Sequence, residues 1–125
     1  MAMTLQDPPT RVIAALAALI GALAVIAGAA SSHMASGDDA LRLDIAVRYA
    51  MWHVLAILAI LALRPGRWLA PLVWLLGIAG FSGGLAAGVF AAPSILQKVT
   101  PFGGGLLILG WLIAAISCLR PNPPA

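Results

Sequence analysis

The stretch Asp44-Ile45-Ala46-Val47-Arg48-Tyr49-Ala50-Met51-Trp52-His53-Val54 and its continuation, Leu55 to Leu63, decide how the chain is read. From Tyr49 to Leu63 there is no charge, but that run is only 15 residues, about 22 Å of helix at 1.5 Å per residue. A bilayer core is roughly 30 Å thick. The helix must therefore extend backwards through Arg48 to about Asp44. This places Arg48 one turn inside the helix near the membrane boundary, where its long stem can snorkel. Asp44 lies four residues earlier on the same face, and an Asp–Arg pair at that spacing lowers the cost of bringing either charge near lipid.

The rest of the chain agrees with a lipid solvent. Of the 125 residues, 62% are hydrophobic and 9% charged, against roughly 45–50% and 25% in a soluble domain. Mean hydropathy is +1.05. So few charges cannot cover a water-soluble surface, and such high hydrophobicity excludes a disordered chain. Three more uncharged runs flank the second span. The four expected spans are about 12–30, 44–63, 69–91 and 103–119, in one all-α transmembrane domain occupying residues 1–125. Arg64-Pro65-Gly66-Arg67 reads as a tight turn, Ser31 to Ala40 as a polar loop, and Ala92 to Pro101 as a break before the last span. The glycines Gly103, Gly104 and Gly105 mark where the fourth helix is expected to begin.

Four crossings give an antiparallel four-helix bundle with both termini on one side. That side carries Arg11, Arg64, Arg67 and Arg120. The other carries Arg42, Arg48 and Lys98 with Asp38, Asp39 and Asp44. The basic residues place both termini in the cytoplasm. The net charge of +3 reflects this orientation rather than a nucleic-acid surface, because no basic patch or base-stacking ladder accompanies it. The first span exceeds the apolar length of a usual secretory signal and reads as a retained helix.

Helices in lipid pack through small residues. Gly80, Gly84 and Gly88 form a stripe on the third span, with Gly77 just off it. Ala17/Gly21 and Ala24/Gly28 repeat the spacing on the first span, and Gly110 serves the fourth. Packing inside one chain is favoured over homodimerisation, with a homo-oligomer as the alternative. Trp68 reads as an interfacial anchor and Trp111 as a residue packed between helices.

Polar groups near the spans are few. His33, Asp44, Arg48, Tyr49, His53 and Thr100 fall toward the non-cytoplasmic end and form the candidate ligand site. His53 could bond Tyr49 or a neighbouring helix, or take up a proton. Two histidines also raise haem, and Arg48 with His53 a quinone or lipid head group. No cofactor motif surrounds these residues, so none is assigned. Ser31, Ser32 and Ser36 near His33 make no triad, there is no zinc-ligand spacing or phosphate-binding loop, and Cys118 is a lone thiol expected to be inert.

Taken in order, these motifs resemble those of the YgdD/YwdK-like family of small, uncharacterised bacterial inner-membrane proteins. Gly21-Ala22-Leu23 and the run Gly28 to His33 resemble its glycine-alanine-leucine and GAFGAH elements. Arg48 to Ala56 is similar to its RYQMYHALA element, and Phe81-Ser82-Gly83-Gly84-Leu85 to FSGSLY. Thr100-Pro101-Phe102-Gly103-Gly104 with Gly110-Trp111 resembles TPIGG…GW. The chain departs from these elements at Ala30, Ser31, Ala50 and Ala86. The resemblance implies four transmembrane helices and supplies no activity.

Together these readings give a non-enzymatic membrane protein, an accessory or scaffold subunit among other integral membrane subunits. The alternatives are a small transporter or channel component and a quinone- or haem-binding redox protein. A reporter enzyme active only in the cytoplasm should be active when fused to either terminus. Activity of a reporter that works only outside the cytoplasm would reverse the assignment of sides.

Overall fold

In the computed structural model, residues 6–34, 36–90 and 94–122 are described. They form α1 (Pro8–Met34), α2 (Gly37–Leu63), α3 (Leu69–Val89), the short α4 (Ser94–Lys98) and α5 (Thr100–Leu119), with no strand among them. Counting α4 and α5 as one segment, four helices are long and apolar enough to cross a membrane.

The observed boundaries differ from the sequence expectation where polar or helix-breaking residues are held by local chemistry. α1 begins at Pro8 rather than near Val12. Proline is at home in a first turn because its missing N–H would have no helical partner there. At the other end, α1 continues through Ser31 and Ser32, which bond back to the Gly28 carbonyl instead of opening a loop (2.8 and 3.3 Å). The reversal is confined to the residues around Ser36 and Gly37, where Gly37 supplies a positive φ of 59°. Asp38 and Asp39 then sit in the first turn of α2, where they complement the helix dipole.

The last span also starts earlier than Gly103. Pro101 occupies the first turn of α5, and Gly103 to Gly105 lie within the helix. Glycine is costly in an exposed helix in water. At Gly103 it is accommodated by a neighbouring backbone that needs the space. α3 ends at Val89; the expected end at Ala91 lies outside the described residues.

The helices pack mainly on their chain neighbours: α1 on α2, α2 on α3, and α3 on α5, with α1 touching α3 only marginally. Short connections make successive spans antiparallel. At one end of the bundle, Trp68 Nε1 donates to Thr10 Oγ1 (3.0 Å), tying the start of α3 to the start of α1. At that same end Arg64 donates to the Cys118 carbonyl and to Asn122 Oδ1, and Arg67 Nη2 to the Pro121 carbonyl (2.7 Å). Both ends of the described chain therefore meet the α2–α3 turn.

Polar markers recur at equal spacing. Arg11 to His33, Arg42 to Arg64 and Lys98 to Arg120 are each 22 residues apart, or about 33 Å of helix. This matches the hydrocarbon thickness. Between those levels, large apolar side chains such as Leu23, Ile26, Leu55, Ile108 and Leu112 are exposed, as expected where lipid is the solvent.

The tightest seam is α3 against α5. A methyl group on Gly80 would lie 3.0 Å from Gly103 Cα, and one on Gly103 would run into the Gly80–Phe81 backbone. One on Gly77 would lie 2.6 Å from Leu107 Cδ2. Gly84 leaves room for Thr100, Gly88 for Gln97 and Arg42, and Gly110 for the Trp74 indole. Gly21 and Gly28 make ordinary contacts with Val54 and Val47 of α2 (3.4 Å each). The small residues named from the sequence thus face neighbours within the same chain. Gly103→Ala should lower stability by about 1–3 kcal/mol, whereas Gly83→Ala, whose methyl would meet nothing within 4 Å, should leave it unchanged. Unfolding in mixed micelles distinguishes the two.

Candidate functional site

The centre of the bundle holds a polar knot around His53. α2 places His53 on its buried face, beside Ala50, Val54 and Ile57. Only 4% of His53 is exposed. Its Nδ1 lies 2.6 Å from the Tyr49 carbonyl one turn earlier. Its Nε2 lies 3.0 Å from Trp111 Nε1 on α5. An indole N–H can only donate, so Nε2 accepts and Nδ1 carries the proton given to Tyr49. Both ring nitrogens of the neutral imidazole are then satisfied, and the tautomer is fixed by its partners.

Trp74 completes the knot. It is fully buried, and its Nε1 donates to the Leu107 carbonyl of α5 (3.2 Å). The His53, Trp74 and Trp111 rings meet edge to face, with centroids 6.1, 5.9 and 4.9 Å apart pairwise. This geometry places ring edges against ring faces and adds to the burial term. Trp111 is expected from the sequence to lie between helices; it makes these contacts along one edge, yet half of its surface (51%) is exposed. A large ring at the rim of a helix pair can bond inward and still face lipid. Above the knot, Tyr49 packs on Trp52 and Phe81 at 5.1 and 4.9 Å.

The other residues singled out from the sequence are not gathered into this cluster. Asp44 and Arg48 pair with each other along α2, both about half exposed. His33 is exposed at the end of α1. His53 follows Gly37 by 16 residues, about 24 Å along α2, so the two histidines do not meet within one chain. Thr100 packs over Gly84 at the start of α5. It lines a cavity of about 470 Å³ with Arg42, Gln97 and Phe81. Among the described residues, no group of three or more His, Cys, Asp and Glu could hold a metal ion.

Sequence reasoning missed Trp74 and the specific Trp111–His53 bond. The signal available was chemical: each tryptophan in a span brings one donor that lipid cannot satisfy, and a histidine on another span is an acceptor. It also missed a second cavity of about 350 Å³ between α1, α2 and α3, lined by small and aliphatic residues. The Ser82 hydroxyl borders that cavity, buried and without a partner.

Most of these features lie in one recognisable segment, since residues 27–104 match a family described as protein of unknown function (DUF423). The chain belongs to the DUF423 family. A UPF0382 membrane protein of Haemophilus influenzae is 36% identical over 113 residues, covering 84% of this chain and 91% of that protein. UPF0382 membrane proteins of Staphylococcus epidermidis and Staphylococcus aureus are 35% and 33% identical, covering 88% and 84% of this chain and 97% and 93% of their own lengths. No solved structure matches. The DUF423 segment includes His53, Trp74, Phe81, Gly84, Thr100 and Gly103, and ends before Gly110 and Trp111.

The His53–Trp111 bond can be weighed by a double-mutant cycle. Trp111→Phe keeps the ring and deletes the N–H, and His53→Leu removes the acceptor. Their coupling should fall at about 0.6–1.7 kcal/mol, the range for bonds between helices in lipid. Additive effects in mixed-micelle unfolding would show that the bond contributes no coupling.

Proposed function

We propose that this DUF423 protein is non-enzymatic and serves as an accessory or scaffold subunit of a larger integral membrane complex. The observation that carries the reading is the internal pairing of the polar groups in the knot. His53 spends both nitrogens on Tyr49 and Trp111, and Trp74 spends its N–H on Leu107. Side chains committed to one another in this way hold helices in register. A catalytic base or axial ligand would need one of these nitrogens to be released.

The shape supports the same reading. Connections between the helices are short, and the outer faces of α1 and α5 carry rows of aliphatic side chains. Such a protein offers partners a lateral, lipid-depth surface and little area in water. The location that fits is the bacterial inner membrane, with both termini in the cytoplasm, on the charge distribution already described.

Extraction in a mild detergent followed by native electrophoresis tests the proposal. A species larger than a homodimer, containing other integral membrane proteins by mass spectrometry, is expected. Migration solely as a monomer or homodimer would overturn the subunit role. Solute flux in proteoliposomes that is lost in His53→Ala or Arg48→Ala would replace it with the transport reading.

A further inference from the structure

The end of the bundle where α1 starts and α5 ends holds a cavity of about 520 Å³ between the start of α3 and the end of α5. Arg67 and Trp68 line one wall, and Ser117 and Arg120 the other. Leu72 and Ile113 are among the apolar residues that complete the lining. This is a basic mouth over an apolar interior, at the level where the 22-residue spacing puts the edge of the hydrocarbon core.

Among the described residues, the lining of this mouth brings two guanidinium groups and no carboxylate. Neither Arg67 nor Arg120 makes an ion pair with a carboxylate among the described residues; the Asp44–Arg48 pair belongs to the opposite half of α2. Arg67 donates to the Pro121 carbonyl, while its Nε is buried with no acceptor. Arg64, next to it in the turn, is held by the Cys118 carbonyl and Asn122, which are neutral. Arg64 and Arg67 are thus held at a membrane boundary by neutral acceptors, and Arg120 joins Arg67 in the lining of the cavity. The cavity at the opposite end contrasts with this one. It contains Arg42 alone, on a helix whose first turn carries Asp38 and Asp39.

We propose that this cavity is a binding site for an anionic glycerophospholipid. The phosphodiester sits between the Arg67 and Arg120 guanidinium groups, with the Ser117 hydroxyl as a further donor. An acyl chain runs down the apolar wall past Leu72 and Ile113. Guanidinium groups suit this role because they give paired, charge-assisted bonds to phosphate oxygens. Basic pockets between transmembrane helices are a recurrent form of head-group site. The apolar interior favours a lipid over a free phosphate ion, which would gain nothing from Leu72 and Ile113. The site is separate from the His53 knot and does not depend on whether the protein has a partner subunit.

Native mass spectrometry of the full chain in detergent, titrated with phosphatidylglycerol or phosphatidylcholine, tests the site. One phosphatidylglycerol should bind in preference to phosphatidylcholine, and Arg120→Gln should weaken it about tenfold, the loss expected for one charge-assisted contact. Arg120 follows the last helical residue and is exposed, so the variant should fold. Arg11→Gln removes the same charge at the same end but outside the cavity, and should leave binding unchanged. Ile113→Trp, which fills the apolar wall, should displace the lipid with every arginine in place. Equal loss in Arg11→Gln and Arg120→Gln would replace the site with diffuse surface attraction. Displacement by millimolar inorganic phosphate would make it an anion site rather than a lipid site. Unchanged binding in both Arg120→Gln and Ile113→Trp would overturn it altogether.

Discussion

The arrangement rests on the close approach of α3 and α5, where Gly80 and Gly103 bring two backbones together. In lipid, burying apolar surface between helices brings no gain over leaving it against acyl chains, so association depends on contact distance and on polar bonds. Glycine provides the first by removing the atoms that would hold the backbones apart. The second follows from it. With no side chain on Gly110, the Trp74 indole lies across α5 and reaches the Leu107 carbonyl. α5 is then placed so that Trp111 meets His53 on α2. One steric allowance thus links three helices.

The two kinds of contact differ in what they specify. A glycine seam allows small shifts along the helix axis, because a smooth surface has several acceptable registers. The His53 knot does not. Two donor–acceptor bonds, each with a defined partner and each ring nitrogen in one protonation state, hold α5 at one height against α2 and α3. Protonation of His53 at Nε2 would remove the acceptor that Trp111 uses, so the register is tied to a neutral imidazole.

Much of the fold was legible because its decisive signals are local. Uncharged runs bounded by arginines mark the spans, and Arg64-Pro65-Gly66-Arg67 marks a turn; Gly66 indeed has a positive φ of 82°. Helix ends were harder to read. Ser31 and Ser32 look like loop residues, yet their hydroxyls fold back on Gly28. Gly103 to Gly105 look like a helix-breaking run, yet they lie within α5, where a facing backbone explains Gly103. The candidate polar site was legible only in part. Residues four apart on one helix, such as Tyr49 and His53, can be paired from spacing. The bond to Trp111, 58 positions further on, depends on how three helices are arranged. His33 and Thr100 share an end of the molecule with Arg48, but proximity in depth is not contact.

The equal spacing of polar residues on three of the spans has a mechanical consequence. Helices whose apolar lengths agree with one another and with the bilayer experience no net pull to tilt, and so contribute no mismatch energy that would sort the protein by membrane thickness. α3 is different: it has Arg67 and Trp68 at one end, and no charged residue from Leu69 to Val89 to mark the other. No charged side chain of α3 itself marks the depth of its far end. Arg67 and Trp68 hold its first turn at the membrane boundary, while its far end is positioned by packing against protein.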